Sequence, residues 1–172
     1  MKKRAIQVLA LAIMFSLTSS VFAQKAVKLG HFNSSELIKR MPESDSAQAT
    51  LKAYVEDIQK ELEGMQKEYQ RLVDDYQAKE SQLSELLKAN KQQEIKDVSN
   101  RYQAFQEKSQ NDIQTKQTEL MQKIFDKIRG VVEQVAKDNH YDYVFESNGI
   151  LWYSNDSDDI TPLIEKKLKL KK

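Results

Sequence analysis

General acid and base chemistry falls most often to histidine, and this chain of 172 residues has only two, His31 and His140. Neither shares an obvious framework with a serine nucleophile, and cysteine is absent. Phosphate or dinucleotide chemistry needs a glycine-rich loop, which four scattered glycines do not make. The run Asn155, Asp156, Ser157, Asp158 and Asp159 puts oxygen ligands at alternate positions, as a calcium ion requires, but it lacks the glycine and the closing glutamate of such a loop. It is read as a polar turn feeding a helix cap. Lys79 interrupts an apolar series, where its ammonium can rest on the Tyr102 ring or reach out to water. It is read as control of helix register. These residues predict a protein that is not an enzyme and that uses no metal or other cofactor.

The elements that position these residues are dominated by one long pattern. Leu51, Val55, Ile58, Leu62, Met65, Tyr69, Leu72, Tyr76, Leu83 and Leu86 follow steps of three and four, which makes one apolar stripe along a helix. Ile95, Val98, Tyr102, Phe105, Ile113, Leu120, Ile124, Ile128, Val131 and Val135 continue it, with a phase slip between Phe105 and Ile113 that resembles a stutter. An antiparallel fold-back near Asn90 and Lys91 sets Leu86 against Ile95, Leu83 against Val98, Lys79 against Tyr102 and Tyr76 against Phe105. The pattern therefore predicts a helical hairpin over 44–136 with its turn within 88–93. No proline lies between Pro42 and Pro162 to break it. A helix of about 45 residues is about 65 Å long, more than a body of this mass needs to enclose a core.

Lys2, Lys3 and Arg4, the apolar run 6–17 and the sequence Val21, Phe22, Ala23 read as a secretory signal over 1–23, cleaved after Ala23. Without a cysteine there is neither a disulfide nor a lipidation site, so a soluble protein outside the cytoplasm is expected. Removing those three cations from 27 basic residues leaves 24 against 26 acidic ones, a net charge of about −2. Nucleic acid is not an expected partner, because its binders present a one-sided basic field.

The flanks, 24–43 and 137–172, supply a small β-containing body. Residues 27–32 alternate like a strand, Asn33 and Glu36 have capping-box spacing, and Pro42 can open the long helix. Residues 141–145 and 150–153 read as two strands of a hairpin turning at Asn148 and Gly149. Thr161 is placed to cap a last helix with Pro162 at its start, and lysines 166, 167, 169, 171 and 172 suit its C-terminal end. So small a body buries too little apolar area to be stable alone, which predicts oligomerisation through it. Tyr54, Met121, Phe125 and Val132, left over from the stripe at the base of the arm, are the expected subunit contacts. Val73 and Leu87, further out, are the candidates for touching a client.

The order of these elements, and above all the stretch 141–168 in which Tyr153, Ser154 and Asn155 precede Asp159, Ile160 and Thr161, resembles the Skp (OmpH) family of periplasmic chaperones. The resemblance implies a mainly α fold with a long antiparallel coiled-coil arm on a short-stranded oligomerisation domain. It also implies a homotrimer with a shared β-barrel and a cavity between three arms. Unfolded outer-membrane proteins would be held there without ATP, in the periplasm, and kept from aggregating. Members of that family are strongly basic and this chain is not, so no lipopolysaccharide-binding residues are carried over. Contact with a membrane surface or lipopolysaccharide stays open. The alternative from another class is a structural envelope protein whose coiled coil docks one dedicated partner.

Overall fold

The computed structural model describes residues 27–154 and 156–170. The secretory segment and its cleavage after Ala23 lie outside the described residues, as do Asn155, Lys171 and Lys172. In chain order the elements are β1 (Leu29–Phe32), α1 (Ser34–Arg40), α2 (Pro42–Lys79), a 3-10 turn (Glu80–Gln82), α3 (Glu85–Asp138), β2 (Tyr143–Glu146), a second 3-10 turn (Ser147–Gly149), β3 (Asp158–Asp159) and α4 (Thr161–Leu168).

The helix starts follow from local chemistry. Asn33 caps α1, its Oδ1 accepting the Glu36 N–H at 3.1 Å. Met41 before Pro42 is extended (ψ 127°), and Pro42 opens α2 where its missing N–H costs nothing. Thr161 does not cap the last helix. Ile160 holds the cap position, the Thr161 N–H donates to Asp159 Oδ1 at 2.9 Å, and the Thr161 hydroxyl accepts from the Asn33 N–H at 3.0 Å. The hydroxyl expected to cap its own helix thus ties α4 to the start of α1.

The helices α2 and α3 form the expected antiparallel arm, and its stripe is where the periodicity places it. Leu72, Val98, Ile124, Ile128 and Val135 are buried, and Leu51, Val55, Ile58, Leu62, Met65, Ile95, Tyr102, Phe105 and Leu120 are half-buried. Buried Ser109 bridges the phase slip between Phe105 and Ile113. The turn and the pairing differ from expectation. The chain folds back over residues 80–84, not 88–93, because Ser84 caps α3 by accepting the Leu87 N–H.

Tyr76 consequently meets Gln92 (2.8 Å) instead of Phe105, Glu68 meets Arg101 (3.5 Å), and Glu43 pairs with Lys127. Lys79 ends α2 in an ion pair with Asp75 and takes no part in the stripe. Leu86, expected to face Ile95, is 73% exposed at the start of α3. A stripe that repeats every turn can slide along its partner and still set apolar against apolar, so capping chemistry decided the slide.

The body holds one three-stranded sheet in the order β2-β1-β3. Both neighbours run parallel to β1, with Leu29 opposite Tyr143 and His31 opposite Phe145 on one side, and Gly30 opposite Asp158 on the other. The expected hairpin between 141–145 and 150–153 does not form. Asn148 and Gly149 lie in a 3-10 turn, and no described glycine has the positive φ that a tight hairpin turn demands. Residues 150–153 carry no strand, and the third strand is Asp158–Asp159. Beneath the sheet Leu37, Met41, Ile160 and Ile164 are essentially inaccessible and pack with Ile124, Ile128 and Val135 of α3 into the main core. An Arg40–Glu165 ion pair joins α1 to α4, and Lys167 donates to Asp138 at 2.8 Å.

Candidate functional site

Period-two alternation divides the sheet into a packed face and an open one. Gly30, Phe32 and Val144 turn to the helices: a Cβ on Gly30 would meet the Tyr141 ring at 3.1 Å, and Phe32 and Val144 pack on the core. Leu29, His31, Tyr143 and Phe145 turn the other way. Leu29, His31 and Phe145 line a cleft of about 430 Å³ with Ile150, Trp152, Tyr153 and Ser157. His31 is buried there, its ring centroid 4.0 Å from that of Tyr153 and its Nδ1 3.0 Å from Ser157 Oγ. Tyr143 and Phe145 stack at 6.3 Å on the same face. The lining carries no aspartate, glutamate, lysine or arginine, so what this face does best is remove apolar surface from water.

The strands around the cleft are fastened by a polar clasp. Lys28 Nζ sits 4.1 Å from the Tyr141 ring centroid and donates to the Asn139 carbonyl at 3.1 Å. Tyr141 Oη donates to Asp158 at 2.9 Å; burial, and then this hydrogen bond to a carboxylate, raise the phenol above its ordinary value. Two of the three aspartates in the calcium-like run are employed here, Asp158 on Tyr141 and Asp159 on the α4 backbone.

Of the residues expected to contact a neighbouring subunit, Met121 and Val132 pack partly on the chain's own core. Phe125 is 42% exposed and lines, with Phe32, Val132 and Val144, a groove of about 460 Å³ between α3 and the sheet. Tyr54 is half-buried on α2. Of the two client candidates, Val73 is half-buried on α2 and Leu87 is 50% exposed beside Leu86 near the arm tip. Among the exposed residues that no site expectation named are Leu29, Tyr143, Phe145, Leu151 and Trp152. Their strand-like composition is legible in the sequence, where it predicts strands of the body's own sheet.

Charges along the arm are mostly paired within one helix, as in Lys108–Asp112 and Lys137–Glu133. The Lys127 hydrogen bond lowers the Glu43 carboxyl below its ordinary value and ties the two helices at the arm base. No described helix is long and apolar enough to cross a membrane.

A long two-helix arm stands on a small body with an open aromatic face, which defines a hairpin-armed fold. The family described as outer membrane protein (OmpH-like) matches residues 28–168, and the chain belongs to that family, which the Skp chaperones share. It is 28% identical over 160 residues to the chaperone protein Skp of Pectobacterium atrosepticum, covering 89% of this chain and 92% of that one. To Skp of Salmonella typhimurium it is 27% identical over 163 residues, covering 92% and 97%. A crystal structure of an OmpH-like outer membrane chaperone candidate from Caulobacter crescentus superposes with a TM-score of 0.71 at 14% identity, covering 83% of each chain, a likeness of fold.

Proposed function

We propose that the protein is an ATP-independent holdase chaperone of the periplasm, which binds unfolded outer-membrane proteins in a cavity between the arms of a homotrimer and keeps them from aggregating. One observation carries this reading: helices of 38 and 54 residues are spent on an arm whose stripe stays largely half-buried, while the main packed core lies where the C-terminal part of α3 meets the body. By helical rise the shorter helix alone is about 57 Å long. Such reach serves to surround something larger than the body itself.

A wall of this kind suits many weak contacts. Its seam mixes Tyr69, Tyr102 and Ser109 with aliphatic residues, which specifies no client sequence and lets the client leave without fuel. Val73 and Leu87 are proposed as client contacts on the arm, and the exposed Phe125 as the member of the basal group available to a neighbouring subunit. Family membership and the relatives named Skp support the chaperone class.

The test is to dilute a denatured outer-membrane β-barrel out of urea with and without the purified mature protein and to follow light scattering. Suppression of scattering at stoichiometric trimer is expected. Unchanged aggregation at molar excess would falsify the holdase reading and favour a rod that docks one partner.

A further inference from the structure

The apolar stripe divides the outer arm into two unlike sides. One residue turns a helix by about 100°, so residues that directly follow a stripe residue flank it on one side and those that directly precede it flank it on the other. In an antiparallel pair the following sides of the two helices lie next to each other. The contacts agree: Gln66, Tyr69, Ser99 and Tyr102 line one cleft of about 290 Å³, and Glu68, Asp97 and Arg101 help to line another of about 340 Å³.

The preceding side is charged, by Glu61, Arg71 and Asp75 on α2 and by Glu94, Asp97 and Lys108 on α3. The following side is built of carboxamides, with Gln59, Gln66 and Gln77 on α2 and Gln103, Gln106 and Gln110 on α3, all exposed. From Gln59 to Gln77 and from Gln92 to Gln110, its charged positions are Glu63 and Lys96 alone. The amides of those six glutamines are free among the described residues, whereas Gln70 and Gln93 donate to Asp74 and Asp97 at 2.8 and 2.7 Å. Solubility does not call for such a difference, since a surface stays dissolved with both signs of charge interspersed.

The chemistry of this side selects its occupant. A carboxamide both donates and accepts without carrying charge, so it can pair with the N–H and the C=O of a peptide bond. An unfolded strand offers those groups unpaired, and its side chains alternate between two faces. Tyr69, 37% exposed, and half-buried Val73 give the apolar ones a surface on the same side. Charged side chains would suit that backbone poorly, because covering them costs their hydration. We infer that an extended, still unpaired segment of the client lies along this glutamine side, held through its backbone, while the charged side stays in water. This rests on the holdase reading above and adds what is recognised, peptide groups in place of sequence.

The chain has no cysteine, so single cysteines carrying a benzophenone crosslinker can be placed on either side of the purified mature protein. With a denatured outer-membrane β-barrel diluted from urea as client, Gln66→Cys and Gln106→Cys are expected to crosslink it several-fold more than Glu61→Cys and Lys108→Cys. The triple variant Gln66→Glu, Gln103→Glu, Gln106→Glu keeps side-chain size and removes the donors. It is expected to keep the helical circular dichroism and to raise the concentration that halves light scattering at least about tenfold. Three glutamates added on the charged side, Ala78→Glu, Asn90→Glu and Ala104→Glu, are expected to leave that concentration unchanged. Equal crosslinking from both sides, or two triple variants that protect alike, overturns the inference while the holdase reading stands. A parent protein that does not reduce scattering, and whose cysteine variants crosslink no client, overturns both.

Discussion

At Gly30 the backbone of β1 approaches its neighbours so closely that a Cβ would lie 3.1 Å from the Tyr141 ring and 3.2 Å from Ile160 Cγ2. Both neighbours are held, Tyr141 by Asp158 and Ile160 by complete burial, so neither gives way easily. Gly30→Val is therefore expected to destabilise the chain by about 1–3 kcal/mol through overpacking, measured by urea unfolding. Glu43 makes a different kind of prediction. Its folded-state pKa is lowered by the Lys127 hydrogen bond, so the pair's contribution is fully present above the ordinary glutamate value and is lost as pH falls through the lowered one. The urea midpoints of the parent and Glu43→Gln should differ at neutral pH and converge in acid; a gap that does not change with pH would count against the pair. The effect is small, because the pair is substantially exposed.

Elements carry the register of the arm. With no native cysteine to interfere, a flexible bis-maleimide reagent is expected to bridge a Glu68→Cys, Arg101→Cys pair across the arm far more readily than a Tyr76→Cys, Phe105→Cys pair. The opposite result would restore the fold-back near Asn90. Ser84 belongs to the same question, since its hydroxyl caps α3 at the tip. Ser84→Ala should cost about 1 kcal/mol of local stability, seen as faster amide exchange in the first turns of α3 with the body unaffected. The tip is thus held by one cap and a short polar network, in which Gln92 donates to Tyr76 Oη and Tyr76 Oη donates to Glu80. The stripe holds the rest of the arm.

For the whole molecule, arm and body have separable tasks. Deleting matched whole turns of α2 and α3 next to the tip leaves the core of Leu37, Met41, Ile128, Ile160 and Ile164 untouched. Such a shortened protein is expected to assemble like its parent and to lose protection of a denatured β-barrel as the arm shortens. Protection that does not depend on arm length would remove the arm from the mechanism.

The amino-acid order by itself determined which faces are apolar, because the steps from Leu51 to Tyr76, and from Ile95 to Val135 apart from one phase slip, gather the stripe residues on one side of each helix whatever that side meets. It also determined the starts at Asn33 and Pro42, where short-range chemistry suffices. The slide of α2 against α3 is not determined by the stripe, since a repeating stripe matches itself at many offsets, and the Ser84 cap at the start of α3 settles it. Only the tertiary structure decided the partners of β1, which lie more than a hundred residues downstream and meet it because the arm returns the chain to its starting point. The same closure left residues 150–153 unpaired and the aromatic face open. Local preference says that a segment can be a strand, and the arrangement of the whole chain says whether a strand is there to receive it.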